Sequence, residues 1–301
     1  MSIPKATSWT RGVRRGGTLA VTVLVIATPP AGAATAVYGG TTSLGRNPQE
    51  AFVLRSDAKA NKVRSVVLSW QAECTDGGTL PYSSQLPVST GTPGFGDPED
   101  TLVAKRNAKG RLAGRATSSG TLSDGSSLTV ETSLTGRISK RTGKGTMSAT
   151  AVISPPGGAP QITCAQSGIR WVASRNPGRI YGGATAQSEP VVVRLNAART
   201  VIADLIFGWD SIKCTPDSFF RLGDWLNTFE VRGGRFGDAF EQRYKRDDGG
   251  ESIYTYDIAG TVSKRTASGR FSVNWNRTFT DGTTPNRSCE TGTVTWRATT
   301  G

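Results

Sequence analysis

At 301 residues the chain carries 36 lysines and arginines against 23 acids, a formal net charge of +13, and not one histidine. Without histidine there is no Ser-His-Asp or Cys-His relay, and the commonest zinc ligand is missing. The four cysteines form an even set, and 37 glycines beside two methionines, with runs of Val, Thr and Ser, fit a disulfide-bearing all-β protein rather than a helical one.

In chain order, Lys5, Arg11, Arg14 and Arg15 precede an apolar run from Leu19 to Ala27, which ends at Pro29-Pro30 and a string of small residues through Ala36. That order reads as a secretory signal peptide over residues 1–36, cleaved after Ala33 or Ala36. The apolar run is too short to span a bilayer. The expected product is therefore secreted or held in a cell envelope, with no transmembrane segment in the mature chain.

The rest of the chain is a duplication. GRISKRTGKGTMS at Gly136–Ser148 returns as GTVSKRTASGRFS at Gly260–Ser272. Each unit opens on a Tyr-Gly-Gly, at Tyr38-Gly39-Gly40 and Tyr181-Gly182-Gly183, and closes on a Cys followed by a Trp, at Cys164 and Trp171 and again at Cys289 and Trp296. Two domains follow, over residues 37–174 and 180–301, joined by a linker at 175–179 that contains Pro177 and Gly178. Four cysteines can pair in three ways, and the duplication selects Cys74 with Cys164 and Cys214 with Cys289.

Within the first unit, residues 50–55 and 63–74 form a hairpin whose second strand places Val66, Leu68, Trp70, Ala72 and Cys74 on one face. The counterpart runs Leu205, Phe207, Trp209 and then jumps phase to Ile212 and Cys214, which predicts a β-bulge. Leu128, Val130, Thr132 and Leu134 lead into the repeated motif, as Ser252, Tyr254, Tyr256 and Ile258 do in the second copy. Asp-Gly turns at Ser123-Asp124-Gly125 and Asp247-Asp248-Gly249 supply the positive φ that tight hairpins need. The units differ in their middles: a Ser/Pro/Gly-rich insertion at 83–98 in the first, and SFFRLGDWLNTF at 218–229 in the second, readable as a short helix or a bent strand pair. The expected fold is all-β, with two tandem antiparallel β-sandwich or up-and-down barrel domains.

Candidate chemistry is sparse. Lys140-Arg141 and Lys264-Arg265 sit in the two copies of the SKRT turn, where they read as solvated hairpin tips or as paired contacts to a polyanion. The adjacent Ser139-Lys140 and Ser263-Lys264 do not make a nucleophilic dyad, because neighbours in an extended strand face opposite ways. A carboxylate pair for glycoside cleavage could come from Asp204, Asp210, Asp224, Glu230, Asp238, Glu241 or Asp257, though spacing selects none of them. Asp97-Pro98-Glu99-Asp100 matches no calcium loop, and Tyr254 and Tyr256, on one strand face, read as core rather than as a sugar platform. The expectation is a non-catalytic binding or structural module without cofactor or metal, its partner an anionic envelope polymer or a protein. The alternatives are a carrier of a small apolar ligand inside each barrel and, after it, a carboxylate-based glycoside hydrolase.

The Tyr-Gly-Gly start, the Trp-x-x-x-Cys strand and the closing Cys and Trp resemble exported proteins of high-GC bacteria built from disulfide-containing β repeats. The resemblance covers both units and implies an exported β scaffold, with no activity or site residue to carry over. Trp209 and Cys214, five apart rather than four, depart from that pattern.

Overall fold

The computed structural model of the chain describes residues 35–43, 49–57, 59, 63–86, 105–106, 110–122, 125–216 and 221–301. Most of the leader and the Asp97-Pro98-Glu99-Asp100 segment lie outside these, as do Ser123, Asp124 and Phe219. Thr35 and Ala36, assigned above to the leader, are already strand, and Ala36 is buried in the core.

Among the described residues everything regular is β, apart from one 3-10 turn at Pro156–Gly158. The first unit contains β1 (Thr35–Ser43), β2 (Gln49–Asp57), β3 (Val63–Cys74), β4 (Thr79–Leu86), β5 (Lys105–Arg106), β6 (Arg111–Thr121), β7 (Ser127–Ile138), β8 (Thr142–Ser154) and β9 (Ile162–Ser174). They form a nine-stranded antiparallel sheet in the order β4-β3-β2-β1-β9-β8-β7-β6-β5. The second unit contains β10 (Ile180–Thr185), β11 (Pro190–Leu195), β12 (Val201–Asp210), β13 (Lys213–Thr215), β14 (Arg221–Leu226), β15 (Phe229–Glu230), β16 (Arg235–Lys245), β17 (Glu251–Val262), β18 (Thr266–Arg277), β19 (Arg287–Glu290) and β20 (Val294–Thr299). Their order matches that of the first sheet once β19 and β20, both paired with β18, are taken as one interrupted strand equivalent to β9.

Each sheet folds over on itself at β9 or at β20, so that its two halves enclose a core as a sandwich. Strict alternation fills that core. In β7 the inward positions are Leu128, Val130, Thr132 and Leu134, and in β17 they are Ser252, Tyr254, Tyr256 and Ile258, all buried. Trp70 and Trp209 are enclosed at 1% and 0% exposure. Disulfides join Cys74 to Cys164 and Cys214 to Cys289, each across a rung where the two cysteines face one another. The phase jump after Trp209 is not a bulge. The strand ends at Asp210, Ser211 and Ile212 bridge, and β13 pairs with β19 instead, so a break accommodates the extra residue. The middle of the second unit is a pair of strands, β14 and β15, both laddered to β12.

The structure explains why Tyr-Gly-Gly and SKRT recur together. Tyr38 Oη donates to the carbonyl of Ser139 at 2.8 Å, and Tyr181 Oη donates to that of Ser263 at 2.7 Å, so the first strand of each unit pins its turn across the core edge. The first glycine of each triplet faces the other unit. A Cβ on Gly39 would come within 2.9 Å of Ile180 Cγ2, and one on Gly182 within 2.7 Å of Val53 Cγ1. The second glycine lies against its corner strand, where a Cβ on Gly40 or on Gly183 would run into the backbone oxygen of Val172 or of Arg297. Inside each turn the serine hydroxyl accepts from the backbone N–H groups of the two residues that close it, Arg141 and Thr142 or Arg265 and Thr266.

The two units dock through outer sheet faces. Val37, Ala51, Val53 and Val67 of the first pack on Val192 and Ile206 of the second in a buried apolar cluster of their own. Full burial stabilises by roughly 1.5–3 kcal/mol per side chain of this size.

Replacing Tyr38 or Tyr181 by Phe leaves a turn carbonyl without its phenol donor and is expected to cost about 1–3 kcal/mol each. Urea midpoints of the two variants test this, and losses under about 0.5 kcal/mol would remove the phenol from its anchoring role.

Candidate functional site

Two kinds of charged site emerge, one sealed and one open. The sealed one lies where the units meet. Arg221, at the start of β14, is 3% exposed, and its Nε donates to Glu189 Oε1 at 3.0 Å while its Nη2 pairs with Glu189 Oε2, a bidentate grip. The first unit completes it: Ser83 Oγ lies 2.6 Å from both Arg221 Nη2 and Glu189 Oε2, and Ser69 Oγ donates to Glu189 Oε2 at 3.2 Å. Glu50 Oε2 and Asp210 Oδ1 stand further from the guanidinium, at 3.8 and 3.6 Å.

One cation thus faces three carboxylates, and burial decides their ionisation. Burial and the neighbouring Glu189 push Asp210 up to about 7 against the pull of Arg221. Glu50 is raised, first by burial, which outweighs the attraction of Arg221. Burial opposes the charge of Arg221, yet Glu189, Glu50 and Asp210 together overcome it and raise the group. Nearby, Asp224 accepts from Trp209 Nε1 at 2.6 Å and from the Tyr256 phenol, and burial still pushes it up to about 6. The first unit builds the same arrangement from neutral groups, with Trp70 Nε1 donating to Ser84 Oγ at 2.9 Å and Ser84 hydrogen-bonded to Thr132.

The open sites are a pair of equivalent grooves on the outward faces of the two units. In the first, of about 970 Å³, Arg111, Arg137, Lys144 and Arg170 project from four adjacent strands around a floor of Gly136, Gly145 and the rim of Trp171. In the second, of about 760 Å³, Arg235, Arg270 and Arg297 stand around Gly260, Gly269 and Trp296. Alternation produces both: Trp171 and Trp296 point inward while Arg170 and Arg297 beside them point out. Glycine is required on the floor, since a Cβ on Gly136 would lie 2.4 Å from Trp171 Cζ2 and one on Gly269 2.8 Å from Trp296 Cζ2. The indoles can therefore seat flush beneath the sheet. Among the described residues no carboxylate lines either groove, and none forms an ion pair with Arg137, Lys144, Arg170, Arg235, Arg270 or Arg297.

Lys140, Arg141, Lys264 and Arg265 are exposed at the tips of the hairpins whose stems carry the grooves, and Thr266 of the second turn lines its groove directly. Of the carboxylates named from sequence, Asp210 alone joins the Arg221 cluster, with Asp224 close by, whereas Glu230 bonds to Arg232 and Glu241 to Arg243 at the surface. Sequence reasoning missed Glu50 in β2, Glu189 in the turn before β11 and Arg221 in β14, which follow no shared spacing. Among the described residues no acidic or cysteine cluster could hold a metal ion, and no helix is long and apolar enough to cross a membrane. Compared with protein-family models, curated proteins and solved structures, the chain gives no match in any of the three.

The sealed cluster gives stability a pH dependence. A carboxyl whose folded pKa exceeds its unfolded value favours the folded state below the unfolded value and loses that advantage as pH rises to the folded one. For Asp210 that window runs from the ordinary carboxylate range up to about 7. Asp210→Asn is therefore expected to gain stability over the parent on going from pH 5 to pH 7.5, on the order of 2 kcal/mol. Paired urea titrations at the two pH values measure it, and a difference that does not change with pH would contradict the assignment.

Proposed function

We propose that this is an exported, non-catalytic protein that binds a polyanion through its two outward grooves. One observation carries the reading: two grooves with equivalent glycine and tryptophan floors each gather Arg or Lys side chains, of which only Arg111 and Arg235 occupy equivalent positions, and among the described residues no acid lines either. Arginine forks suit phosphate or sulfate oxygens geometrically, and Arg137, Lys144, Arg170, Arg235, Arg270 and Arg297, which form no ion pair among the described residues, lose none on engaging a ligand. Hydroxyls of Thr135, Thr146 and Thr295 between the cations offer further donors.

Export is supported by the leader composition and by the two disulfides, which persist in oxidising compartments. Ala36 is a buried strand residue, so cleavage after Ala33 fits the fold better than cleavage after Ala36. The grooves favour surface binding over an apolar ligand held inside a unit, because Trp70 and Trp209, which would line such a cavity, are enclosed by neighbouring side chains. Of the carboxylates with raised pKa, Glu50 and Asp210 face Arg221 in the sealed contact between units and Asp224 is held by Trp209 and Tyr256 of the second core, which favours a structural role for them over glycoside cleavage.

Retention on a phosphorylated resin across a NaCl gradient tests the proposal. Substituting Ser for Arg137, Lys144, Arg170, Arg235, Arg270 and Arg297 should shift elution to much lower salt, because each phosphate contact adds to the salt dependence. A control with Trp225→Ala and Tyr244→Ala, both exposed and away from the grooves, should elute like the parent. Equal elution of the six-residue variant and the parent would refute groove binding.

A further inference from the structure

The two grooves do not end independently. Each lies on the stem of its SKRT hairpin, between Arg137 and Lys144 in the first unit and reaching Thr266 in the second, and both turns are tied to the same short connector between the units. Arg175 N donates to the carbonyl of Arg141 at 2.7 Å, which hangs the first turn on the start of the connector. Three residues on, Gly178 N donates to Thr300 Oγ1 at 2.8 Å, and Thr300 N donates to the carbonyl of Arg265 at 3.0 Å, which hangs the second turn on its end. Arg199 reinforces this side, its Nη2 donating to the carbonyl of Ser263 at 2.8 Å. Even fully extended, three residues span no more than about 11 Å, and the connector is tighter than that, with Arg179 N and Ile180 N both donating to the Asn176 carbonyl. The tips of the two hairpins are therefore neighbours.

Charge follows the same path. No aspartate or glutamate occurs between Glu131 and Glu189, between Asp257 and Asp281, or after Glu290, and these are the stretches that supply the turns, the connector and most of both grooves. Lys140, Arg141, Lys264 and Arg265 are exposed, and Arg175 and Arg179 lie half-buried between them.

Resting on the reading of the grooves as anion sites, we propose that grooves, turns and connector form one continuous cationic track, and that its ligand is a single linear phosphate-backbone polymer without bases that crosses from one unit to the other. The absence of bases follows from the aromatics. Single-stranded nucleic acids are held by stacking on exposed rings, and the tryptophans along this track are buried, Trp171 at 1% and Trp296 at 4% exposure. Among the described residues the large exposed rings, Trp225 and Tyr244, lie elsewhere, Tyr244 at the end of β16 remote from Arg235 in the groove. Docking of the units through Val37, Val53, Val192 and Ile206 holds the halves of the track in fixed relation, which is the condition for one chain to engage both.

The test uses the protein with inorganic polyphosphate of about 5 and about 60 phosphates, and with oligothymidylate matched in charge to the longer one, in calorimetric titrations at one salt concentration. The long polyphosphate should bind one per protein, at least about 100-fold more tightly than the short one, which should bind two per protein. Replacing Lys140, Arg141, Lys264 and Arg265 by Ser should abolish most of the advantage of length while leaving short-chain binding within about threefold. Two long chains per protein, or an unchanged length advantage in that variant, would overturn the continuous track while leaving the grooves as separate sites. Failure of both polyphosphates to bind would overturn the groove reading itself, and tighter binding of oligothymidylate would overturn the base-free ligand.

Discussion

A guanidinium enclosed between two sheets has to be neutralised where it stands, and the structure does this for Arg221 with partners from both units. Glu189 grips it in bidentate fashion, and Ser69 and Ser83 reach across from the first unit to complete the hydrogen bonding. The valine-rich contact around it supplies adhesion, but apolar burial is non-directional and would tolerate sliding. Removing one partner of a buried pair is far more costly than its net contribution suggests, because the other charge is stranded. A displacement of the units would do just that to Glu50, which faces Arg221 from the first unit, and would strip Ser69 and Ser83 from Glu189, which moves with Arg221; these cross-unit contacts set the register. The relative placement of the two outer surfaces depends on that register.

From this contact the repeated motifs acquire distinct tasks. The first glycine of Tyr-Gly-Gly lets the units approach, the second lets the corner strand lie against its neighbour, and the tyrosine carries the position of that strand to the turn on the far side of the core. The tryptophan that closes each unit sits under a pair of glycines and so forms the floor of a groove. Parts repeated for structural reasons thereby repeat a groove floor, around which each unit sets its own cations. Where the units diverge, they diverge in charge. A neutral Trp70, Ser84 and Thr132 arrangement in the first is matched by Trp209, Asp224 and Tyr256 in the second, close to the buried cluster.

The fold was readable because strands with one buried face alternate, and β7 and β17 alternate cleanly, whereas β3 is buried on both faces from Val66 to Trp70. The cysteine pairing was readable because the duplication assigned one pair to each unit. The break after Trp209 was not, since a bulge and a strand that ends and pairs elsewhere both shift the phase by one residue. The grooves were hidden for a different reason. Arg111, Arg137, Lys144 and Arg170 come from four strands and meet only through sheet order, as do Arg235, Arg270 and Arg297. The one trace of them in the sequence is what is missing, the acids between Glu131 and Glu189. The SKRT pairs drew notice as a motif, but their nearness to one another depends on Arg175 and Thr300, whose backbone hydrogen bonds no residue pattern announces.

A basic surface organised in this way should be mapped directly. Amide chemical-shift perturbation on adding long polyphosphate would locate the ligand residue by residue. The account predicts perturbed signals along residues 135–146, 174–180, 259–270 and 295–300, with those around Trp225 and Tyr244 unmoved. Perturbations centred on Trp225 and Tyr244, or confined to one unit at saturation, would contradict it.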